Sequence, residues 1–451
     1  MSLFILLGFG AGCSPTGSSG IEDALSSYST LGRQVSWPGF DPAETPIALF
    51  DGRRTYLIHH PSPPPQFRPL RRASVVFVAD TAFDALAANT DVEFAGARMA
   101  VVLIPPDPWS ADSIAALMIH EAFHVHQSLS HPDWTANEVD LFTYPIRSVA
   151  LLHRRRIESG TLRRAVSEVD SVRRLCWGQA FLRARRDRFS RLPEQGIQYE
   201  RGTELREGLA RYVEGLASGA PPPAIPAEGF TPEDVRERAY ETGRAIAILL
   251  DRTGRAWKDS LVTGGAIPLD SLLEEAIASH RVARCGLSPD EIARAGTVAR
   301  TDIEALAIRD RSERDRFETA PGWMIEILGD AEPLFPARFD PLNVRVLDER
   351  HVLHTRWLTV SSASITAEVL GRSALTRGLP GHPLFNGLDR VWISGLTEPR
   401  VETHGDTTRI AVDGLSITAV GATIDRDGQR ISVRVDDTAT REGGGAGMFP
   451  S

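Results

Sequence analysis

The sequence predicts an α+β protein, and three observations carry that expectation. Between 46 and 105, short runs of β-branched and aliphatic residues are set apart by Gly and Pro, as strands are. Between 110 and 318, apolar residues recur with helical period in long segments that lack internal Pro. From Pro321 the period changes to two, with Gly, Pro, Asp and Asn between the runs. The expected organisation is a leader and tether over 1–20, a small α/β lobe over 21–109 and a mainly helical lobe over 110–319. A β-rich domain over 320–437 and a disordered tail over 438–451 follow. At 451 residues, 42% hydrophobic, the chain is long enough for two or three domains. Its formal net charge of −9 argues against a nucleic-acid partner. Lys258 is the single lysine, and the arginines are spread along the helices among Glu and Asp, so these Arg/Glu-rich faces are read as solvated.

Residues 3–12 form an apolar run too short to span a bilayer. The run resembles the hydrophobic core of a signal peptide, and Gly10-Ala11-Gly12-Cys13 resembles a bacterial lipoprotein cleavage box. Gly10 stands where Leu is usual, and no basic residue precedes the run. The resemblance implies export, lipidation at Cys13, and membrane association only through that anchor, with Ser14 to Gly20 as a flexible tether. In an exported protein Cys176 and Cys285 could pair, or remain two buried thiols.

Strands are expected over Pro46–Phe50, Arg54–His59, Ser74–Ala79 and Ala97–Pro105, with a Pro-rich loop over Pro61–Pro69. His59-His60 is taken as a strand end before a turn. Helices are expected over Ser110–Ser128, opened by Asp107-Pro108-Trp109-Ser110, and over Pro145–Glu158, Leu162–Ser190, Thr203–Ser218, Thr231–Thr253, Leu269–Ser279 and Pro289–Thr319. In the β-rich domain, strands are expected over Trp323–Leu328, Asn343–Leu347, His351–Val360, Ala363–Leu370, Arg390–Leu396, Arg409–Val412, Leu415–Ile424 and Arg430–Val435. Asp425-Arg426-Asp427-Gly428 is expected as a hairpin turn.

Within the first of those helices stands His120-Glu121-Ala122-Phe123-His124. Residues four apart lie on one helix face, so both imidazoles can point at one metal ion with Glu121 on the flank. Ile114, Leu117, Met118, Ile119 and Phe123 make the helix mostly buried, and buried polar groups need partners. His126 shows that His is locally abundant, which is the accidental explanation of the pattern.

A catalytic zinc takes three protein ligands and keeps one position open. The third candidate is Glu207, in Glu204-Leu205-Arg206-Glu207-Gly208-Leu209-Ala210-Arg211-Tyr212. Thr203 is a plausible N-cap, Leu205, Leu209, Tyr212 and Leu216 form an apolar stripe, and Glu207 lies off it. A glycine inside a helix costs about 1 kcal/mol against alanine, so Gly208 points to close approach of another element. The bland alternative is a surface Glu.

These two segments together resemble the gluzincin metallopeptidases, in particular the aminopeptidase N and leukotriene A4 hydrolase group, whose second motif is Glu-Gly-Phe-Ala-x-Tyr. The resemblance implies a zincin-like catalytic domain, one zinc ion per chain on His120, His124 and Glu207, and a peptide or protein substrate. A segment like the family's Tyr-x-Lys-Gly occurs at Tyr240-Glu241-Thr242-Gly243, with Thr242 in place of Lys, which implies Tyr240 as oxyanion donor. Tyr199 and Tyr212 are its rivals. In thermolysin-like enzymes the strand corresponding to Arg98–Ile104 is the edge that pairs with an extended substrate. Gly96-Ala97-Arg98-Met99 echoes the family's substrate-binding strand but lacks its following Glu, and the stretch from His124 to Glu207 is far longer than in aminopeptidase N.

The chemistry implied is zinc-assisted hydrolysis, with Glu121 as general base and then acid and Tyr240 on the oxyanion. Each His should donate its second N–H to an acceptor, with Glu200, Glu204 and Asp140 as candidates. A non-catalytic binding protein on a degenerate peptidase fold, and a zinc hydrolase acting on something other than peptides, are the alternatives.

Overall fold

The computed structural model describes residues 18–70, 73–86, 89–104, 109–340 and 343–435. The leader with Cys13, the helix-opening Asp107-Pro108 and the expected tail lie outside the described residues. The architecture is α+β: ten α-helices and three mostly antiparallel sheets among the described residues. The chain divides into two compact units at Ile303/Glu304, inside a helix and not at the expected 319/320.

The first unit opens with α1 (Ser18–Gly32), so Ser18 to Gly20 are helical and not tether. Ile21, Ala24 and Tyr28 are its buried positions; Ser-rich composition hid this face from the sequence pattern. A six-stranded sheet follows: β1 (Ile47–Phe50), β2 (Thr55–Ile58), β3 (Arg68–Leu70), β4 (Ala73–Ala79), β5 (Thr90–Phe94) and β6 (Ala97–Leu103), in the order β3-β4-β2-β1-β6-β5. β1 and β6 are parallel and the other pairs antiparallel. Ala100 and Val102 on β6, with Ile47 and Leu49 on β1, pack in one core with Ile114, Met118, Ile119 and Phe123 of α2 (Ala111–Ser130). The alternate residues Met99, Val101 and Leu103 bury the other face with Phe67 and Leu86. Both faces are covered, which is why β6 is apolar from Met99 to Leu103.

One expectation fails here. Arg98 to Ile104 is not an edge, because β5 pairs antiparallel along it and is itself the outer strand. Asp91-Val92-Glu93-Phe94 does alternate with period two, but over only four residues and with strand-poor acids, too short a run to signal a strand.

The helical part comprises α3 (Val149–Ser167), α4 (Ser171–Phe189), α5 (Glu194–Thr203), α6 (Leu209–Ser218), α7 (Val235–Asp251), α8 (Trp257–Gly264), α9 (Leu269–Ile277) and α10 (Pro289–Glu318). The expected break around Gly160 is absent; the turn comes at Glu168–Asp170, where the Asp170 side chain accepts the Arg173 N–H. Thr203 is not an N-cap either. α5 runs through it into a π turn, Glu204–Gly208, and on into α6, and the Thr203 hydroxyl donates to the Tyr199 carbonyl. Leu209 N–H donates to Glu204 O, five residues back.

The Arg/Glu-rich faces expected in solvent are partly core. Arg185, Arg188 and Arg238 are about 1% exposed and interlock with Glu158, Glu200, Glu204 and Asp270. Arg201 adds a fourth cation through Asp270, so four guanidiniums meet four carboxylates. Burial opposes charge on Glu158, but Arg188, Arg238 and Arg185 outweigh it and hold the carboxyl below its ordinary range. A disulfide joins Cys176 on α4 to Cys285, with Cα atoms 5.5 Å apart.

The second unit contains two antiparallel-rich sheets. One has the order β18-β19-β7-β14-β13-β10-β9 and the other β15-β16-β17-β12-β11-β8. The strands are β7 (Trp323–Leu328), β8 (Phe335–Phe339), β9 (Val344–Val346), β10 (His351–His354), β11 (Trp357–Ser361), β12 (Ile365–Leu370), β13 (Ala374–Gly378), β14 (Leu388–Leu396), β15 (Arg400–His404), β16 (Thr407–Val412), β17 (Leu415–Val420), β18 (Ala422–Asp427) and β19 (Arg430–Val435). β12 and β17 alternate buried and exposed residue by residue, so each presents one face to a core. The expected single strands 351–360 and 415–424 are each two strands, and β8, β13 and β15 had no sequence counterpart.

The contact that places the site is a glycine crossing. A Cβ at 208 would lie 2.7 Å from Gly243 Cα, and one at 243 would lie 2.7 Å from Glu204 O. Both obstacles are backbone and cannot rotate away. We expect Gly208→Ala to cost at least about 1–3 kcal/mol through overpacking, despite alanine's better helix propensity. Gly160→Ala, whose new Cβ meets only the mobile Leu287 Cδ1 at 3.3 Å, should be close to neutral. Thermal denaturation of the two variants checks the contrast; equal melting temperatures would remove the crossing as a constraint.

Candidate metal centre

α2 starts because Ser110 caps it, its side chain accepting the Ser113 N–H. From there a Pro-free apolar run buries the helix from Ile114 to Gln127 and carries His120, Glu121 and His124 to a cleft of about 520 Å³. The third element is the π turn, which presents Glu207 to the same cleft. Glu207 Oε2 lies 3.2 Å from His124 Nε2 and 3.6 Å from His120 Nε2. One atom from each of these three side chains falls within 4.8 Å of the others, the only such grouping among the described residues.

The outer nitrogens have partners that sequence reasoning did not name. His120 Nδ1 faces Glu214 Oε2 at 3.1 Å, and His124 Nδ1 faces Gln127 Oε1 at 2.8 Å. The expected candidates lie elsewhere: Glu200 and Glu204 belong to the buried arginine cluster, and Asp140 accepts from Asn137. Both true partners had a positional signal. Gln127 is three residues beyond His124, and Glu214 seven beyond Glu207, each on the same side of its helix. The Gln127 amide also donates to Leu205 O at 3.0 Å and to Arg206 O at 2.9 Å, two carbonyls of the π turn. With its Nε2 so engaged, Oε1 must accept, so His124 donates from Nδ1 and keeps its Nε2 lone pair for the cleft.

The fields in the site agree. Burial pushes His120 down, but Glu207 and Glu214 more than offset it and hold the imidazole up at about 10. Glu207 is held well below the carboxylate range, since His124 and His120 outweigh its burial. Burial raises Glu121, against the pull of both histidines. The centre therefore stabilises positive charge between its three ligand atoms, and two imidazole nitrogens with one carboxylate are a donor set that fits zinc.

Tyr240 lies in the same cleft, delivered by α7 three residues before the Gly243 crossing. Arg236 Nε donates to its hydroxyl oxygen at 3.1 Å, and burial together with the Glu207 charge keeps the phenol protonated, hence a donor. Of its rivals, Tyr199 donates to Glu138 at 3.3 Å and Tyr212 to Asp251, so both hydroxyls are engaged away from the ligands. Arg236 was missed; it also reaches Glu207 Oε1 at 3.4 Å, and its place four residues before Tyr240 is the signal that could have found it. His126 is not a ligand: it packs against Phe40 and Phe123, and burial and His131 push it down to about 4. His60 meets the Phe94 carbonyl, a structural contact.

Comparison with protein families, curated proteins and solved structures yields no match to this chain.

Two outcomes follow from the geometry. Zinc uptake near pH 7 should release about one proton, from His120, and apparent affinity should rise with pH toward His120's value of about 10. Calorimetric titration in buffers of different ionisation enthalpy measures this; uptake with no proton release contradicts it. Gln127→Leu should weaken zinc binding by about 10–100-fold, as loss of a ligand-orienting partner does. Zinc affinity unchanged in that variant would remove Gln127 from the support of His124.

Proposed function

We propose that this chain is an exported zinc-dependent peptidase with a zincin-like catalytic domain, a divergent relative of the gluzincins. The observation that carries the proposal is the convergence of His120, His124 and Glu207, with both outer imidazole nitrogens oriented and Glu121 beside them, on an open cleft. When bound, zinc supplies Lewis acidity, making water nucleophilic near neutral pH and polarising a carbonyl.

The chain's own residues supply the rest. Glu121, raised by burial, takes a proton from the attacking water and passes it to the leaving amine. The Tyr240 hydroxyl, its oxygen accepting from Arg236 and its proton bonded to Glu207 in this structure, would turn that proton to the developing oxyanion. Gln127 and Glu214 would accept from the Nδ1 atoms of His124 and His120, leaving both Nε2 atoms for zinc once His120 has given up its second proton.

A peptide is favoured over other hydrolase substrates because β5 is an edge strand whose Thr90 and Asp91, with Asn89 just before it, line the cleft. An extended substrate can pair with such an edge through backbone groups alone. Export is supported by the Cys176–Cys285 disulfide, since such bonds persist in oxidising compartments. Lipidation at Cys13 is part of the same proposal and lies outside the described residues. No helix among the described residues is long and apolar enough to cross a membrane.

Purified protein should carry about one zinc per chain. Glu121→Gln and Tyr240→Phe should keep that zinc. Hydrolysis of a peptide substrate should then fall by about 10²–10⁴-fold for the first and about 10²–10³-fold for the second. Protein that takes up no zinc sinks the enzymatic proposal; a Tyr240→Phe enzyme as fast as wild type sinks only the role of the tyrosine.

A further inference from the structure

Four guanidiniums line the cleft: Arg98, Arg206, Arg211 and Arg236. Two are outnumbered by carboxylates. Arg211 faces Glu214, Glu237 and Glu241, and Arg236 faces Glu138 and Glu207. The other two share one. Asp91, buried on β5, accepts from Arg98 Nε through Oδ2 at 2.7 Å and from Arg206 Nη2 through Oδ1 at 2.7 Å. Both Asp91 oxygens are thus committed, and one negative charge stands between two positive ones. Ser128 Oγ accepts from Arg206 Nη1 at 3.0 Å but brings no charge. Glu93, across from Arg98 in the strand register, is exposed, makes no ion pair among the described residues and is not part of the cleft wall.

The surplus charge is built in, not incidental. Arg98 lies on the same face of β6 as Ala100, the face covered by α2; its side chain is 38% exposed and lines the cleft, and it meets Asp91 through Nε and Nη2. Arg206 immediately precedes the ligand Glu207, and its charge reaches Glu121. The positive pair therefore stands at the reacting end of the cleft, alongside the β5 edge. A planar guanidinium with unused N–H groups matches a carboxylate in shape as well as charge.

We propose that Arg98 and Arg206 form a subsite for a carboxylate on the substrate, so that this protein acts on peptides that present a carboxylate there in preference to those that do not. The inference rests on the peptidase reading, and the carboxylate has two possible sources, a Glu or Asp side chain or a free C-terminus.

The test pairs catalysis with binding. Three peptides of common core are offered to the zinc-loaded protein: one with an acidic side chain and an amidated end, one neutral with a free C-terminus, and one neutral and amidated. A charge-assisted contact at a partly open site should favour one of the first two over the third by about 10–100-fold in kcat/KM, and which of them wins identifies the source. Arg98→Gln, which leaves Asp91 balanced by Arg206 alone, should bring the favoured peptide down to the neutral one. Arg98→Lys should retain a part of the preference, and circular dichroism confirms that both variants fold. In parallel, calorimetry measures binding of the same three peptides to the zinc-free protein, wild type and Arg98→Gln. Equal cleavage of all three peptides by wild type, or a preference that survives Arg98→Gln, overturns the subsite. If no peptide is cleaved, the peptidase reading fails by itself and the calorimetry decides: tighter binding of either carboxylate-bearing peptide than of the neutral amidated one, lost in Arg98→Gln, upholds the subsite, and equal binding overturns it.

Discussion

The third corner of the candidate metal centre depends on two helical backbones meeting at Gly208 and Gly243 with no side chain between them. Glu207 is one residue from the first glycine and Tyr240 three from the second, so the crossing distance sets how far the third ligand stands from the phenol. The π turn serves the same end. It makes Leu209 N–H reach back five residues to Glu204 O, and the Leu205 and Arg206 carbonyls receive the Gln127 amide. A regular α-helix would have given those carbonyls to its own N–H groups and turned Glu207 to a different angle.

The crossing is held from outside by the buried charge cluster. Glu204 opens the π turn and is gripped by Arg185 of α4 at 2.8 and 2.6 Å, while Arg238 of α7 binds Glu158 of α3 and Glu200 of α5. Such a cluster adds little net stability compared with an apolar core of the same volume, because every charge has lost its water. Its value is geometric. An apolar interface tolerates a slip along the helix, whereas a fork-shaped guanidinium between two carboxylates permits one register only. Glu158 and Glu200 are fully buried and each faces at least two guanidiniums, so removing either strands positive charge in the interior.

How much of this was legible follows from what each signal depends on. His120, Glu121 and His124 were visible because their geometry is local to one helix. Glu207 was visible through Gly208, an unfavourable residue that required a reason. The outer partners were assigned to Glu200, Glu204 and Asp140 because carboxylates near the motif were counted and helix faces were not. Gln127, a neutral residue on the same turn as His124, was passed over. The buried arginines were read as surface because Arg and Glu in helices usually are. A positional clue was present in α4, where Arg185 and Arg188 continue the line of the buried Phe181 at spacings of four and seven. The edge strand was misplaced for a different reason: β6 carries a continuous apolar run that suggested a strand, whereas β5 carries two acids, and pairing order is a tertiary property that neither run encodes.

The two halves of the centre meet at charged and polar contacts, and that has a thermodynamic consequence. α2 would supply two ligands and the π turn the third; apart from the apolar packing, Gln127, the Arg206–Ser128 contact, the His120–Glu214 contact and the contacts of both histidines with Glu207 tie them at the site. The like charges of Glu121, Glu207 and Glu214 gather at that junction, and His120 can answer them only by holding a proton. A divalent ion held by both elements would replace that proton with two charges and close the same interface that the glycine crossing closes from behind. Binding and the helix–helix contact would then draw on one free energy, as with any ligand that binds only the folded arrangement. On the proposed reading, a loosened crossing would weaken the hold on zinc, and zinc would restore part of the stability lost there.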